Sequence, residues 1–443
     1  MERFCPVRGL EIGEAVVMGT GTFQTDVAIV GAGGGGAVLA LVLAQRGIRS
    51  VVLERGSGPP TGLRGEILQP NGQQVLDRLG LLDKLPSDAT RTVRKFHFLR
   101  AAGPRLCTID YGDLPPPYNR ALVTLPNVAH HAILEELQRA NPEGLWYDAR
   151  FVRLQFDGRR VTGLEAERQG HPVHITARLV VGADGALSNV RQSLAIAAEM
   201  HLYPEAYLIA ILDSGSEITD AKYFVGNRSI LGMFPAAGRK VYLFYMIPAG
   251  SFERVKAAGF EPLRAAWTRI DPSGESLFRN LTDWTQTAYM PTGRVKAATW
   301  VADGAALLGD AAHAMNAHAS QGRMQAMVDA MTLADLIPAC LERGDFSATR
   351  LRAYEQARRP QVEMLQRLAD EQVMWWNTGN PVLAFLRDRV FQTLDRNARL
   401  RYQVLTTTAG LRSSPPFSLV DRVIAAGLLP DPRAHMIPSQ VGS

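Results

Sequence analysis

The chain has 443 residues, of which 46% are hydrophobic and 21% are charged, and its formal net charge is +5. This composition is ordinary for a globular enzyme, and because the cations form no block interleaved with aromatic residues we expect no nucleic-acid partner. The three cysteines, Cys5, Cys107 and Cys340, have neither metal-ligand nor disulfide-framework spacing, so we expect no metal site, reduced thiols and a cytoplasmic location. No stretch reaches the ~20 apolar residues of a transmembrane segment, and residues 1–24 lack the pattern of a signal peptide and are expected to be a flexible extension.

A strand–turn–helix–strand unit follows that extension. Val27–Val30 is an apolar run typical of a buried parallel strand, Ala37–Gln45 has helical character, and Ser50–Leu53 is a second strand. Between the first strand and the helix lie three glycines in G-x-G-x-x-G spacing: Gly31, Gly33 and Gly36. Such glycines make a tight turn, let backbone approach a pyrophosphate and let the helix pack on the strand, while an acid at the end of the second strand, here Glu54, accepts hydrogen bonds from a ribose. We predict a dinucleotide site; the alternative is a glycine-rich loop that binds nothing.

The chain then alternates between two sheets. We assign residues 25–92, 119–148, 179–200 and 295–345 to a discontinuous nucleotide-binding domain, and residues 93–118, 149–178 and 201–294 to a second, antiparallel sheet that forms a substrate domain. Residues 346–443 are predicted to be a C-terminal helical region. Arg55 and Arg64 flank a loop rich in proline and glycine, where each either contacts the nucleotide or is solvated.

Two further segments place an aspartate directly after an apolar strand. The first is Val180–Gly185, which contains Asp184, and the second runs from Ala306 through Gly309 and Asp310 to Gln321 and Gly322. Taken alone, each aspartate is explained as a helix N-cap. After the glycine motif, and in this order, the segments resemble those of the group A flavin monooxygenases, which have the p-hydroxybenzoate hydroxylase fold.

The resemblance extends from Asp26 to about Leu400. It implies an α/β fold: a Rossmann-like FAD-binding domain with an inserted substrate domain of mixed and antiparallel sheet, followed by C-terminal helices. It also implies that Asp310 bonds the ribityl chain of FAD, that Gly309, Gln321 and Gly322 lie near the flavin, and that Asp184 serves FAD and the nicotinamide cofactor. The protein is expected to hold FAD non-covalently, with NAD(P)H as a transient reductant.

The sequence departs from the family pattern in the third segment, where Ala317 replaces a proline, Ser320 a glycine, Arg323 a small residue and Met324 an asparagine. In the helix predicted at residues 127–139, His130 occupies about the place of an arginine that meets the FAD phosphates in relatives.

The function implied is that of a monooxygenase. NAD(P)H reduces the flavin, and O2 forms a flavin C4a-hydroperoxide that hydroxylates a hydrophobic aromatic, polycyclic or unsaturated small molecule. Because the flavin does the chemistry, no protein nucleophile is needed, and the candidate catalytic residues are His318, considered as a base, and Asn316. Strand alternation predicts that the substrate site is lined by Tyr223, Phe234, Phe244 and Met246.

Three alternatives stay open at this point. The stretch Gly65–Pro70 is similar to a segment of squalene-epoxidase-type relatives, so epoxidation is open beside hydroxylation. A reductase or desaturase related to geranylgeranyl reductases is the second alternative, and a flavoprotein without turnover is the third. The oligomeric state is either a monomer or a homodimer.

Overall fold

The computed structural model of the protein describes residues 21–63, 66–226 and 228–437. The predicted extension lies outside the described residues as far as position 20, and so does Arg64. The first strand begins at Gly21 and not near Thr25, because residues 21–25 pair with residues 173–177 of a neighbouring strand. The strand is therefore longer than its apolar run, since its first half gains backbone hydrogen bonds without being buried.

The described residues form eighteen strands in three sheets. In chain order they are β1 (Gly21–Val30), β2 (Ser50–Leu53), β3 (Glu66–Leu68), β4 (Thr90–Val93), β5 (Lys95–Arg100), β6 (Arg105–Asp110), β7 (Ala121–Thr124), β8 (Leu145–Trp146), β9 (Ala149–Asp157), β10 (Arg160–Arg168), β11 (His171–Gly182), β12 (Ala198–Asp213), β13 (Ala221–Gly226), β14 (Ser229–Ala236), β15 (Lys240–Pro248), β16 (Thr287–Ala297), β17 (Val301–Ala302) and β18 (Ala305–Leu307).

The α-helices of the described residues follow the same convention. They are α1 (Gly34–Gln45), α2 (Pro70–Arg78), α3 (Val128–Ala140), α4 (Asn189–Ser193), α5 (Phe252–Ala257), α6 (Phe260–Ile270), α7 (Glu275–Phe278), α8 (Asp310–His313), α9 (Gly322–Arg343), α10 (Ala348–Trp376), α11 (Pro381–Arg396), α12 (Ala398–Thr408) and α13 (Leu419–Ala425).

The first sheet is the nucleotide-type sheet. Its main path runs β17-β18-β11-β1-β2-β8, and the pairs from β18 to β8 are parallel. Helix α1 is buried from Gly35 to Leu43, because the sheet covers one side and α3 and α9 pack on the others. The long apolar run of this helix therefore belongs to the core and not to an amphipathic surface helix.

The predicted sheet membership of residues 149–178 is wrong. Strands β9 and β10 form a hairpin, but β10 pairs antiparallel with β11 and so extends the first sheet. Strand β11 is continuous from His171 to Gly182, because Arg178 interrupts the apolar pattern without breaking the ladder. Where the substrate domain begins and ends stays a prediction.

The second sheet has the order β16-β12-β15-β14-β13-β5-β6 and is antiparallel except for the pair β13–β5. The four strands predicted between residues 207 and 247 all occur in it. Strand β12 begins nine residues earlier than predicted, at Ala198, and the other three are longer by one or two residues. A small third sheet has the strand order β3-β7-β4. The predicted α/β architecture with C-terminal helices is confirmed.

Among the described residues, one helix is long and apolar enough to cross a membrane by length and composition. This helix is α9, and 61% of its most apolar window is buried inside the fold. It packs against α1, α2 and α10, so its apolar residues are explained as protein core.

Candidate active site

The glycine turn between β1 and α1 has the geometry that a dinucleotide requires. Gly31 has a φ of +100°, and a Cβ atom on it would lie 2.5 Å from the carbonyl oxygen of Ala183. A Cβ on Gly36 would lie 1.9 Å from the carbonyl oxygen of Gly31. By contrast, a Cβ on Gly33 would meet nothing within 4 Å, so the turn is packed at its two ends and open in the middle. This open backbone at a helix N-terminus forms a cradle suited to a phosphate.

Glu54 lies beside this cradle, at the end of β2. Its two carboxylate oxygens accept hydrogen bonds from the backbone N–H groups of Ala32 (3.1 Å) and Gly56 (2.9 Å). The carboxylate is thereby held between the glycine turn and the loop that follows β2, with lone pairs left for a ribose. Arg55 is exposed, and its predicted cofactor contact stays a prediction.

The N-terminus of α3 holds that same loop. Asn127 donates from Nδ2 to the carbonyl oxygen of Gly62 (2.8 Å), and a ring nitrogen of His131 lies 2.9 Å from the carbonyl oxygen of Pro60. His130 is only 6% exposed, and its predicted cofactor contact stays a prediction.

Asp184 is engaged locally. Its Oδ1 accepts a hydrogen bond from the Ser188 hydroxyl (2.5 Å), and its Oδ2 accepts from the backbone N–H groups of Asn189 (2.8 Å) and Val190 (3.1 Å). These contacts are those of a carboxylate that caps the short helix α4. The structure thus gives Asp184 a structural role, and its predicted part in cofactor binding stays a prediction.

The third motif is supported by a buried charge network. Asp329, on α9, accepts from the backbone N–H of Gly309 (3.1 Å) and from Arg358 Nε (2.8 Å), and its Oδ2 lies 2.5 Å from His313 Nε2. Burial alone raises the pKa of the Asp329 carboxyl, but the charges of His313 and Arg358 and these hydrogen bonds lower it overall. Gly309 has a φ of +59°, so the network holds a strained turn that presents the exposed Asp310 at the start of α8.

Gln321 belongs to the same interior network. Its amide donates to the carbonyl oxygen of Thr408 (2.8 Å), and its Oε1 accepts from Asn71 Nδ2 (3.0 Å) and Gln325 Nε2 (2.8 Å). The side chain is fully buried, and both its amide atoms have protein partners. The predicted cofactor contacts of Gln321 and Gly322, at the start of α9, stay a prediction.

Asn316 lies between α8 and α9, in the turn that precedes α9. It is 1% exposed, and neither Nδ2 nor Oδ1 has a hydrogen-bond partner among the residues that the structure describes. A buried amide without partners costs about 1–3 kcal/mol for each unsatisfied group. Asn316 is therefore a candidate to bind a water molecule or a ligand.

His318 connects this turn to the second sheet. Its Nε2 lies 2.8 Å from the hydroxyl oxygen of Tyr207, on β12, and its Nδ1 lies 3.1 Å from that of Tyr223, on β13. Burial lowers the pKa of His318 to about 3 and raises the pKa values of both tyrosines. At neutral pH all three groups are uncharged, so His318 is a poor general base and acts as a hydrogen-bond bridge.

Aromatic rings surround His318. Tyr207 and Phe244 stack with their centroids 4.0 Å apart, and Trp376, at the end of α10, lies 5.5 Å from the imidazole. Three of the four predicted substrate contacts, Tyr223, Phe234 and Phe244, lie in this cluster, and Met246 is buried in the same core. The structure thus brings the predicted lining together beside the turn 316–320, although contact with a substrate stays a prediction.

Sequence analysis missed Tyr207 and Trp376. Tyr207 shares a sheet face with Phe244 because it pairs with Met246, two residues from Phe244, and this register is set by the tertiary structure. No local pattern distinguishes Trp376 from a core residue, because its approach to His318 depends on where a 29-residue helix ends.

Arg323 provides an unexpected contact with the glycine turn. A Cβ on Gly34 would lie 2.9 Å from Arg323 Cγ and 3.1 Å from its Nε, so the arginine side chain lies against the first residue of α1. A cation from α9 is therefore placed beside the cradle, on a helix that also starts near Asn316.

These observations fit FAD. The open middle of the glycine turn, the tethered Glu54 and the nearby Arg323 suit a diphosphate and ribose, and the buried amide of Asn316 suits the polar edge of a flavin or of a substrate beside it. Among the described residues, no group of three or more histidines, cysteines or acids is placed to hold a metal ion.

Comparison with known proteins gives the same assignment. A family model described as an FAD binding domain matches residues 24–369. The 6-methylpretetramide 4-monooxygenase of Streptomyces rimosus is 29% identical over 386 residues, which cover 85% of this chain and 90% of that protein. The 6-hydroxynicotinate 3-monooxygenase of Bordetella bronchiseptica is 25% identical over 378 residues, covering 81% and 94%.

The fold is also shared with solved structures. The p-nitrophenol 4-monooxygenase of Pseudomonas putida superimposes with a TM-score of 0.77, at 21% identity, over 88% of this chain and 99% of that one. At this level of identity the similarity supports the fold.

Proposed function

The chain belongs to the family of group A FAD-dependent monooxygenases, and from that premise we propose that it inserts one oxygen atom into an aromatic or polycyclic molecule bound beside the turn 316–320. FAD is its cofactor and NAD(P)H its reductant. The balanced reaction consumes substrate, O2, NAD(P)H and a proton, and yields the hydroxylated product, water and NAD(P)+. Bound FAD, reduced by NAD(P)H, supplies the activated oxygen.

The observation that carries the proposal is the position of Asn316. Its unsatisfied amide lies two residues from His318, which is embedded in the aromatic cluster of Tyr207, Tyr223 and Phe244. Flat rings pack favourably against aromatic faces. An amide supplies one donor side and one acceptor side, so it selects a ring edge that carries complementary polar groups.

The bridge Tyr207–His318–Tyr223 gives the site a proton to donate. A neutral imidazole has one N–H donor and one acceptor nitrogen, so one tyrosine donates to His318 and the other accepts from it. The accepting tyrosine keeps its own O–H, and among the described residues neither hydroxyl has a second partner. We assign that O–H to an oxygen atom of the substrate, such as a phenol or a carbonyl.

The lining also keeps water out. Tyr207, Tyr223, Phe234 and Met246 are all less than 9% exposed, and exclusion of water protects activated oxygen from unproductive decay. The chain therefore contributes orientation, hydrogen bonds and dryness, and no protein nucleophile is required.

The alternative of a reductase or desaturase finds no support in the relatives reported above, which are monooxygenases. Epoxidation in place of hydroxylation stays open, because the two differ in the substrate bond that is attacked and not in the cofactor site. A cytoplasmic location and a monomer or homodimer remain part of the proposal.

The test uses purified protein loaded with FAD, NADPH or NADH, and a panel of phenols and polycyclic phenols under 18O2. The expected result is substrate-dependent NAD(P)H oxidation with a product that is heavier by one 18O atom. Substrate reduction without oxygen uptake means a reductase. Flavin reduction that no candidate substrate accelerates, with no labelled product, contradicts the proposed turnover.

A further inference from the structure

Exposed large hydrophobic residues are concentrated in one part of the molecule. Of the sixteen among the described residues, eleven lie between Met374 and Ile437. Six of them form what we call the C-terminal apolar surface: Val382, Phe385, Leu419, Val420, Leu428 and Leu429, which are 51–83% exposed. Scattered single hydrophobics are normal on a protein surface, but a concentration of this kind marks an interaction site.

Helix α13 is apolar on both sides, because Ile424 and Ala425 are buried in the protein and its outer face also carries apolar residues. Asp421 faces the protein and is bound to Arg399 (2.8 Å), whereas Leu419 and Val420 face outward. Val423 continues that outward face one turn later. The helix therefore presents an apolar face with nothing from the described residues packed on it.

Helix α11 continues this surface. Val382, Phe385 and Arg389 recur at intervals of three and four residues, so they share one helix face. Arg389 in turn touches the segment that follows α13, since its Nη2 lies 3.5 Å from the carbonyl oxygen of Gly427, the residue before Leu428. Phe385 on α11 and Leu428 thus lie near the same arginine.

In residues 381–437 the aspartates are engaged inside the protein, whereas several arginines lie at its surface. Residues 381–437 contain eight arginines and four aspartates, with no lysine or glutamate. The aspartates are engaged inside: Asp388 with Arg100 and Arg387, Asp421 and Asp431 with Arg399, and Asp395 with the backbone N–H of Thr108.

The arginines left on the outside face solvent. Arg389 and Arg396 are exposed and have no carboxylate partner among the residues that the structure describes. Arg422 is exposed too, although Glu371 lies 3.5 Å away. An apolar surface bordered by arginines is complementary to an apolar phase bordered by anions.

We propose that the C-terminal apolar surface docks on an anionic lipid membrane. Apolar side chains of α11 and α13 enter the boundary between headgroups and acyl chains, and Arg389, Arg396 and Arg422 contact lipid phosphates. A second copy of the chain suits the surface less well. A two-fold contact places the same patch on both sides, and the unpaired arginines would then face each other without a carboxylate.

The experiment is co-sedimentation of the FAD-loaded full chain with two kinds of vesicle. One kind is phosphatidylcholine alone, and the other is phosphatidylcholine mixed with phosphatidylglycerol. We expect partitioning onto the anionic vesicles to exceed that onto neutral ones by roughly tenfold or more. The difference should fall at 1 M salt, where the screening length is only about 3 Å.

Two variants and a matched control identify the surface. The double variant Leu419→Ser/Leu428→Ser should lose roughly tenfold or more in partitioning, and Arg389→Gln/Arg396→Gln should lose the preference for anionic lipid. Leu202→Ser, at a site 79% exposed on β12, should behave as wild type. Thermal unfolding of all three should match wild type, because every altered side chain is exposed.

Four outcomes overturn the proposal. They are the absence of binding to either vesicle, equal binding to neutral and anionic vesicles, a dimer that dissociates in Leu419→Ser/Leu428→Ser, and binding that appears only after residues 2–20 are removed. The last two mean that a second copy or the chain's own first segment covers the surface. Monooxygenase activity in solution is independent of every one of these results.

Discussion

The Nε2 atom of His318 lies 2.8 Å from the hydroxyl oxygen of Tyr207, although 111 residues separate the two in the chain. This hydrogen bond joins the turn before α9 to the second sheet, and it holds the imidazole in an aromatic environment that excludes its charged form. Burial lowers the pKa of His318 to about 3, well below the ~6.5 of a histidine in an unfolded chain.

The stability of the protein should therefore depend on His318 at mildly acidic pH. Between about pH 6.5 and pH 3 the unfolded state binds a proton at this position and the folded state does not, so stability falls as the pH is lowered, by up to about 1.4 kcal/mol per pH unit. His318→Gln should flatten this slope in urea unfolding at pH 7, 6 and 5. His435→Gln, at the surface, serves as the control, and an unchanged slope in His318→Gln contradicts the buried neutral histidine.

Asn316→Leu separates a ligand contact from a structural role. Because both amide atoms are buried without partners, the apolar replacement of similar size should leave thermal stability unchanged or slightly raised. Binding should suffer instead, with kcat/KM or FAD affinity reduced by roughly ten- to hundredfold for a lost hydrogen-bonded pair. A lower unfolding temperature together with wild-type binding means that Asn316 is structural.

Asp329→Asn tests the network behind the third motif. The change leaves Arg358 and His313 without their buried carboxylate, which should cost about 3–5 kcal/mol in the free energy of unfolding at pH 7. Since the pKa of Asp329 is lowered in the folded state, its contribution is fully present above about pH 4 and is lost as the pH falls further. Asp335→Asn, on the same helix but in a surface pair with Arg46, should cost less than about 1 kcal/mol.

Asp310 and Asp184 should respond in opposite ways when each is replaced by alanine. Asp310 is exposed at the start of α8, so its loss should weaken FAD by roughly ten- to hundredfold, or about 1.5–3 kcal/mol, with little effect on folding. Asp184 caps α4, so its loss should lower stability by about 1 kcal/mol and affect FAD less. FAD affinity is measured by equilibrium dialysis, and stability by thermal unfolding, for both variants. Wild-type FAD affinity in Asp310→Ala means that Asp310 only caps α8.

Arg323→Gln examines the cation beside the glycine turn. Because the Arg323 side chain lies against Gly34, we expect FAD affinity to fall by roughly tenfold or more and to depend less on salt than in wild type. Arg343→Gln, exposed at the far end of α9, is the matched control. Riboflavin lacks phosphate, so its affinity should be nearly the same for Arg323→Gln and Arg343→Gln. If Arg323→Gln weakens riboflavin binding as much as FAD binding, Arg323 lies at the flavin ring and not at the phosphates.

Local patterns in the sequence were sufficient for the nucleotide unit. Gly31, Gly36 and Glu54 lie within about 25 residues of one another, and the turn needs a positive φ and close backbone contacts that only particular residues allow. The strand Ser50–Leu53 has the predicted bounds for the same reason, because side-chain periodicity and flanking turns specify a strand without reference to the rest of the chain.

Only the tertiary structure decided what meets across the domains. Strand β10 is joined to β11 by a two-residue turn, but only the pairing of β11 with β1, far away in the chain, places both strands in the first sheet and not in the second. The meeting of His318 with Tyr207, Tyr223 and Trp376 depends on sheet register and on the length of α10, and the placement of Arg323 over Gly34 depends on how closely α9 packs on α1. Such contacts join residues far apart in sequence, so the residue types were visible in advance but their partners were not.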